Sequence, residues 1–200
     1  IPEAAQWGIF LRNHDELTLE MVTDDERSLM LDTYAQDPRA ALNVGIRHRL
    51  AHLMGNDARK IRLMLSLLFS LPGSPFLYYG DELGMGDDLD LPDRDGVRTP
   101  MQWDSSSNAG FSVAPTDALY APAISDPIYG FRKVNVAAQE SDQESLLEWV
   151  RRAIAIRKHH PCFGRGSVEW LDLSDDSVLG FRLSHPSGSV FVAANFADRQ

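Results

Sequence analysis

Pro72-Gly73-Ser74-Pro75-Phe76-Leu77-Tyr78-Tyr79-Gly80-Asp81-Glu82 is the stretch on which the fold turns. Pro-Gly stops whatever precedes it, residues 76–79 form a short apolar and aromatic run, Gly80 punctuates, and two carboxylates follow. The pattern predicts a buried strand over 76–79. Immediately upstream, residues 58–71 are apolar nearly all round, at Ile61, Leu63, Met64, Leu65, Leu67, Leu68 and Phe69, which predicts a mostly buried helix capped by Asp57. Further back, residues 7–11 are another short apolar run of strand length, and Arg12-Asn13-His14-Asp15-Glu16 follows it. The grammar is strand, helix, strand, with carboxylates behind each strand. Buried strands separated by a helix imply a parallel sheet with ligands at its carboxyl edge, as in a doubly wound sheet or an α/β barrel.

Between these elements, Thr23 and Glu26 have capping-box spacing and predict a helix with Leu29, Met30 and Tyr34 on one face. Asp37-Pro38 reads as an N-cap with proline in the first turn, and Leu42, Ile46, Leu50, Leu53 and Met54 then recur at helical spacing, so a second helix is expected up to Gly55-Asn56. Residues 84–138 are irregular, rich in Gly, Pro, Asp and Asn. Trp103, Phe111, Tyr120, Tyr129 and Phe131 argue for an ordered, functional loop there, because disordered segments are poor in aromatics. Ser145 and Glu148 form a second capping box, opening a helix that ends at His159-His160-Pro161. Beyond Gly166 the period becomes two. The runs 167–173, 178–183 and 190–195 read as antiparallel strands, which predicts a boundary near 161–166: residues 1–162 as one domain and 163–200 as the start of a β domain.

Composition narrows the partners. The chain has 200 residues, 44% of them hydrophobic, enough to bury a core. Its 19 basic and 29 acidic residues give a net charge of −10, which argues against nucleic acid or an anionic membrane as partner. No apolar run approaches the roughly 18 residues of a membrane span, and the N-terminus lacks the basic start of a signal peptide. The single cysteine, Cys162, cannot form an intrachain disulfide, and a cytoplasmic location is the default expectation. The missing initiator Met predicts a segment of a longer protein.

The chemistry-bearing residues each carry two readings. His14, Asp15 and Glu16 suit acid/base work, sugar hydroxyls or a metal; alternatively Asn13-His14-Asp15 is a polar turn with an Asx hydrogen bond. Asp81 or Glu82 could pair with Asp15 as glycosidase carboxylates, or be bonded to loop amides and arginines. Arg98 can clamp a carboxylate through its planar fork or fasten the long loop. Asp87, Asp88, Asp90, Asp93 and Asp95 crowd one segment without calcium-loop spacing, so no metal is assigned. His48, His52, His159, His160 and His185 read as solvated or helix-terminal, and Cys162 as packing.

Three segments together resemble the α-amylase superfamily of glycoside hydrolases: residues 10–16, residues 72–82, and Arg94-Asp95-Gly96-Val97-Arg98-Thr99-Pro100-Met101-Gln102-Trp103. Within it the chain looks like the oligo-1,6-glucosidase and sucrose isomerase branch. Leu17-Thr18-Leu19-Glu20, Gly84-Met85-Gly86-Asp87 and Gly164-Arg165-Gly166 are most similar to the members that interconvert maltose and trehalose by intramolecular α-glucosyl transfer. The resemblance implies the C-terminal part of a (β/α)8 barrel, with strands seven and eight, followed by the start of an antiparallel β-sandwich. It implies that Asp15 stabilises the transition state, with His14, Asp15, Glu16 and Arg98 on the substrate side, and it demotes Asp81 and Glu82 to supporting residues. The nucleophile and acid/base of the retaining mechanism would lie upstream of Ile1, so the chain alone is expected to be inactive. It implies a disaccharide substrate such as maltose or trehalose and no cofactor in this chain. Ca2+ in the upstream part and a homo-oligomer both stay open, as do a hydrolytic α-glucosidase, a sucrose isomerase and a non-catalytic barrel subunit as alternative functions.

Overall fold

The computed structural model describes residues 5–197. The chain divides into two compact units, one of Ile1–Leu11, Arg62–Phe76 and Val150–Gln200, the other of Arg12–Ile61 and Leu77–Trp149.

In the first unit, β1 (Gly8–Ile9) pairs in parallel with β5 (Ser74–Pro75), Gly8 opposite Ser74. The expected parallel pairing is present, but the strand expected over 76–79 sits two residues earlier and is short. The reason is hydrogen bonding. Pro75 has no N–H, so the ladder is closed by the amides of Ser74 and Phe76, which donate to the carbonyls of Trp7 and Ile9, each at 2.7 Å. Trp7, Phe10 and Phe76 are exposed rather than buried, because a two-stranded ladder covers neither face. Gly73 is required at the crossing: its φ is +129°, and a Cβ there would stand 2.7 Å from the Trp7 carbonyl oxygen.

The helix before β5, α3 (Ala58–Ser70), forms where its apolar run predicts, and Asp57 accepts the Arg59 amide at 2.8 Å at its start. The helix α5 (Leu146–His159) ends as expected before Pro161. Its Arg157 guanidinium donates to the carbonyls of Phe69, Leu71, Gly73 and Phe163, so one cation satisfies the orphan acceptors at the end of α3. Three antiparallel strands, β6 (Ser167–Leu171), β7 (Val178–His185) and β8 (Gly188–Asn195), form a sheet in sequence order. Phe181 and Leu183 are fully buried on one face of β7 and pack with Cys162 and Phe163 of the one-turn helix α6 (Cys162–Arg165). The period of two was therefore a sound signal, and Cys162 is packing.

In the second unit, α1 (Asp24–Tyr34) carries the full capping box, with Thr23 accepting from Glu26 N–H and the Glu26 carboxylate accepting from Thr23 N–H. The long helix expected after Asp37-Pro38 is absent. Asp37 caps only the 3-10 turn Pro38–Ala40, and the chain then makes β3 (Ala41–Leu42) and β4 (Gly45–Ile46), turning at Asn43 with φ +52°. β4 lies between β3 and β2 (Leu17–Thr18), and helix resumes only as α2 (Leu50–Leu53). Ladder bonds to Leu17-Thr18, a long-range partner, override the local helical period, and Gly45 makes the approach feasible: a Cβ would meet the Leu17 carbonyl oxygen at 2.3 Å.

The irregular stretch after Gly84 is ordered by turns and buried polar anchors. It contains 3-10 turns at Asp95–Val97, Ser107–Gly110 and Thr116–Ala118, then the short helix α4 (Val136–Glu140). Fully buried Gln102 donates to the carbonyls of Tyr129 and Val134, while Arg47 donates to those of Leu89, Leu91 and Asp93. Leu83, Met85 and Leu147 form the apolar core beneath.

Candidate active site

The site is built on a turn. Asn13 Oδ1 accepts the Asp15 N–H at 2.8 Å, which is the Asx bond the sequence allowed. The Arg12 side chain is buried; its Nε donates to the His48 carbonyl at 2.6 Å and its Nη2 to the Asp15 carbonyl at 2.8 Å. Burial lowers the Arg12 pKa, and the nearby carboxylates of Asp81 and Asp87 pull the other way. The polar turn and the presented carboxylate are thus one structure.

The Asp15 carboxylate is held from one side. Arg94 Nε lies 3.0 Å and Arg98 Nη2 3.2 Å from Oδ1, while Oδ2 faces His14 Nε2 at 3.4 Å. The Asp15 side chain keeps 45% of its exposure. Arg98 Nε also donates to the His14 carbonyl at 3.0 Å, so Arg98 both clamps a carboxylate and fastens its loop. Glu16 differs. Arg94 donates from Nε to Oε2 at 2.7 Å and from Nη2 to Oε1 at 3.1 Å, and Asn43 adds a bond to Oε1 at 2.8 Å. Burial raises the Glu16 pKa, but hydrogen bonds from Asn43, its own amide and Arg94 outweigh that and hold it below the ordinary value. Its acceptors are occupied by protein.

Arg98 also lines a cavity of about 550 Å³ walled by Tyr79, Met101, Trp103, Phe111 and Tyr120. The hydroxyls of Tyr78 and Tyr79 donate to the carbonyls of Val97 and Thr99, which pins that wall. Asp81 is buried away from solvent, with Arg49 Nη1 at 3.6 Å from its Oδ1, and the Arg49 guanidinium stacks on Tyr78 and Tyr79. Burial pushes the Asp81 carboxyl up to about 7 against the pull of Arg49 and Arg12, and burial also raises Glu82. Among the described residues, Asp81 Oδ1 and Glu82 Oε2 are buried with no hydrogen-bond partner, and Glu82 lines the same cavity as Arg98.

One expectation fails outright. His48 and His52 do have a partner: both aim Nδ1 at Asp87, 3.0 Å from Oδ1 and Oδ2 respectively. Burial would raise the Asp87 pKa, but hydrogen bonds from His48 and His52 reverse the direction and hold it well below the ordinary range. The rest of the acidic segment is dispersed: Asp90 pairs with Arg39, Asp93 with Arg94, and Asp95 takes the Tyr120 hydroxyl.

The family model for the alpha amylase catalytic domain matches residues 41–166. The chain belongs to the α-amylase family. It is 58% identical to a trehalose synthase/amylase of Mycobacterium tuberculosis over 100% of its own length and 33% of that protein, and 49% identical to a trehalose synthase of Thermus thermophilus over 98% of its length and 21% of that protein. The chain thus spans a third or less of the curated relatives it matches. Among solved structures, a trehalulose synthase superposes with a TM-score of 0.67 at 22% identity, covering 94% of this chain and 34% of that one. The α-amylase fold class follows: α/β, carrying part of a (β/α)8 barrel and an antiparallel β sheet after it.

Sequence reasoning brought together His14, Asp15, Glu16 and Arg98, and the structure does place all four in one cluster. It missed Arg94 as a member. The signal was available, since Arg94 and Arg98 flank the single 3-10 turn Asp95–Val97 and so reach the same neighbour. It also missed Arg12, which looked like a strand-end residue and is the buried anchor of the turn.

Proposed function

We propose that the complete protein isomerises maltose and trehalose by intramolecular α-glucosyl transfer with retention, Asp15 stabilising the transition state. The observation that supports a sugar-handling role is the asymmetry at Asp15: two guanidinium groups hold Oδ1, while Oδ2 faces the exposed His14 imidazole and the side chain keeps 45% exposure. A fixed carboxylate accepts hydrogen bonds from vicinal hydroxyls and strengthens its hold as oxocarbenium charge develops. His14, more exposed still, would bind the same glucosyl unit, and Arg98 would orient both groups from the aromatic cavity. Glu16 would serve through Arg94, keeping that cation over Asp15. The trehalose synthase names of the two relatives support isomerisation over other transfers.

The division of labour follows the same reading. Residues 1–162 would be the C-terminal part of the catalytic barrel and 163–200 the opening of a β domain, with the nucleophile and acid/base elsewhere in the protein and the cytoplasm as its compartment. Among the described residues no helix is long and apolar enough to cross a membrane. A hydrolytic reading has two observations behind it, the word amylase in the name of the mycobacterial relative and a probable alpha-glucosidase of Rhizobium meliloti at 34% identity. Incubating the complete protein with maltose separates them: trehalose as the main product supports isomerisation, and glucose alone overturns it.

A further inference from the structure

We propose that His48, His52 and Asp87 form a binding site for one divalent transition cation of zinc-like character, separate from the sugar site. The three side chains offer ligand atoms that all lie within 4.8 Å of one another. His48 Nδ1 is 3.0 Å from Asp87 Oδ1, and His52 Nδ1 is 3.0 Å from Oδ2. A tetrahedral ion with bonds of about 2.0–2.2 Å separates its ligand atoms by roughly 3.3 Å, so the two histidine–aspartate edges already lie near that spacing and all three ligand atoms stay within 4.8 Å. Two imidazoles and one carboxylate are the borderline donor set that zinc, cobalt and nickel prefer, unlike the all-oxygen shell of calcium. A fourth position would be left to water.

The surroundings are those of a held site. The Asp87 side chain is fully buried, and the Arg49 backbone N–H donates to its Oδ2 at 2.7 Å, fixing the carboxylate plane. The two imidazole rings stack with centroids 4.9 Å apart and 22° between planes, and Tyr129 backs His52 at 4.2 Å. Gly86 admits Tyr129 there, since a Cβ would stand 2.4 Å from its ring. The His48 and His52 side chains keep 11% and 27% exposure, which leaves a route from solvent. Arg12, the near cation, is committed to the carbonyls of His48 and Asp15 and does not occupy the ligand atoms. His52 Nδ1 also lies 3.3 Å from the Asp87 N–H, a donor that requires an unprotonated nitrogen, while the carboxylate at 3.0 Å requires a protonated one. With a cation on Nδ1 the imidazole and the carboxylate act together as ligands, and the long contact from the Asp87 N–H is given up.

The test uses the complete protein stripped with a chelator and titrated with Co2+ and then Zn2+. One equivalent of Co2+ should bind per chain with the visible absorption of a tetrahedral site, Zn2+ should displace it, and Zn2+ should raise the Tm. The double variant His48→Gln/His52→Gln should lose the absorption and the Zn2+-dependent Tm rise while keeping the far-UV circular dichroism of the stripped parent. Should that variant fail to fold, His52→Gln alone should weaken Co2+ binding and blue-to-colourless displacement by Zn2+. Failure of the parent to take up either metal, or equal uptake by a folded variant, overturns the proposal and leaves a His–Asp–His hydrogen-bonded clamp.

Discussion

Asp15 and Asp87 are each met by cationic or imidazole groups, yet they are used in opposite ways. Asp15 keeps nearly half of its side-chain exposure and is gripped at one oxygen by Arg94 and Arg98. Asp87 is buried, with both oxygens engaged by His48, His52 and the Arg49 amide. The difference teaches which ligand each can meet: the half-exposed Asp15 carboxylate can reach a sugar hydroxyl from solvent, whereas the buried Asp87 carboxylate is committed to the two imidazoles and the Arg49 amide, which suits internal order or, with those imidazoles, a small cation. Glu16 lies between them, close in sequence to Asp15 but bonded like Asp87.

The strongest attack on this contrast is Asp15→Asn in the complete protein. It should lower kcat about 10²–10³-fold, or about 2.7–4 kcal/mol of transition-state stabilisation, with the Tm close to the parent's. Near-normal turnover of maltose would remove Asp15 from the transition state. Next comes Asp81, whose carboxyl is raised from 3.8 to about 7 by burial. Between those values the folded protein binds a proton that the unfolded chain has released, so stability falls as pH rises from about 4 to about 7, by up to about 4 kcal/mol. Asp81→Asn should flatten that slope in denaturant titrations run at a series of pH values; an unchanged slope would assign it to another group.

Asp87→Asn should behave as the reverse of Asp15→Asn, costing roughly 2–3 kcal/mol of stability through lost buried hydrogen bonds, with a small effect on kcat. The pH dependence also reverses relative to Asp81. The Asp87 pKa is depressed in the fold, so its stabilisation is present above the ordinary value and is lost as pH falls through the folded one. Urea titrations in acid should therefore show a shallower fall for the variant. The smallest effect is the control: Ser145→Ala removes the acceptor of the Glu148 amide at the start of α5 and should cost about 1 kcal/mol with kcat unchanged. A large loss of activity there would mean that the active cluster depends on distant packing.

Legibility followed the range of the interaction. Local signals were read correctly at Thr23 and Glu26 and along β7, where Phe181 and Leu183 alternate with outward residues. At Ser145 the hydroxyl takes the Glu148 amide, while the residue's own N–H goes to the Asp142 carbonyl. Residues 38–54 defeated them, since a spacing of four serves an α-helix but is also compatible with two short strands and a turn. His48 and His52 defeated them too. Their partner is Asp87, some forty residues on, and nothing at either histidine encodes that meeting.

By itself the sequence determined the strand–helix–strand order, the capped helices, the period-two sheet and the motif residues His14, Asp15, Glu16 and Arg98, because each rests on neighbours a few residues apart or on short motifs. Only the tertiary structure decided which carboxylate stays open. That choice depends on where Arg94, Arg98, Asn43, His48 and His52 come to rest, and their positions are set by long-range ladders and buried guanidinium anchors. The same Asp side chain is a candidate sugar site at Asp15 and a buried clamp at Asp87 because burial and partner geometry, rather than residue type, fix how far its oxygens reach solvent.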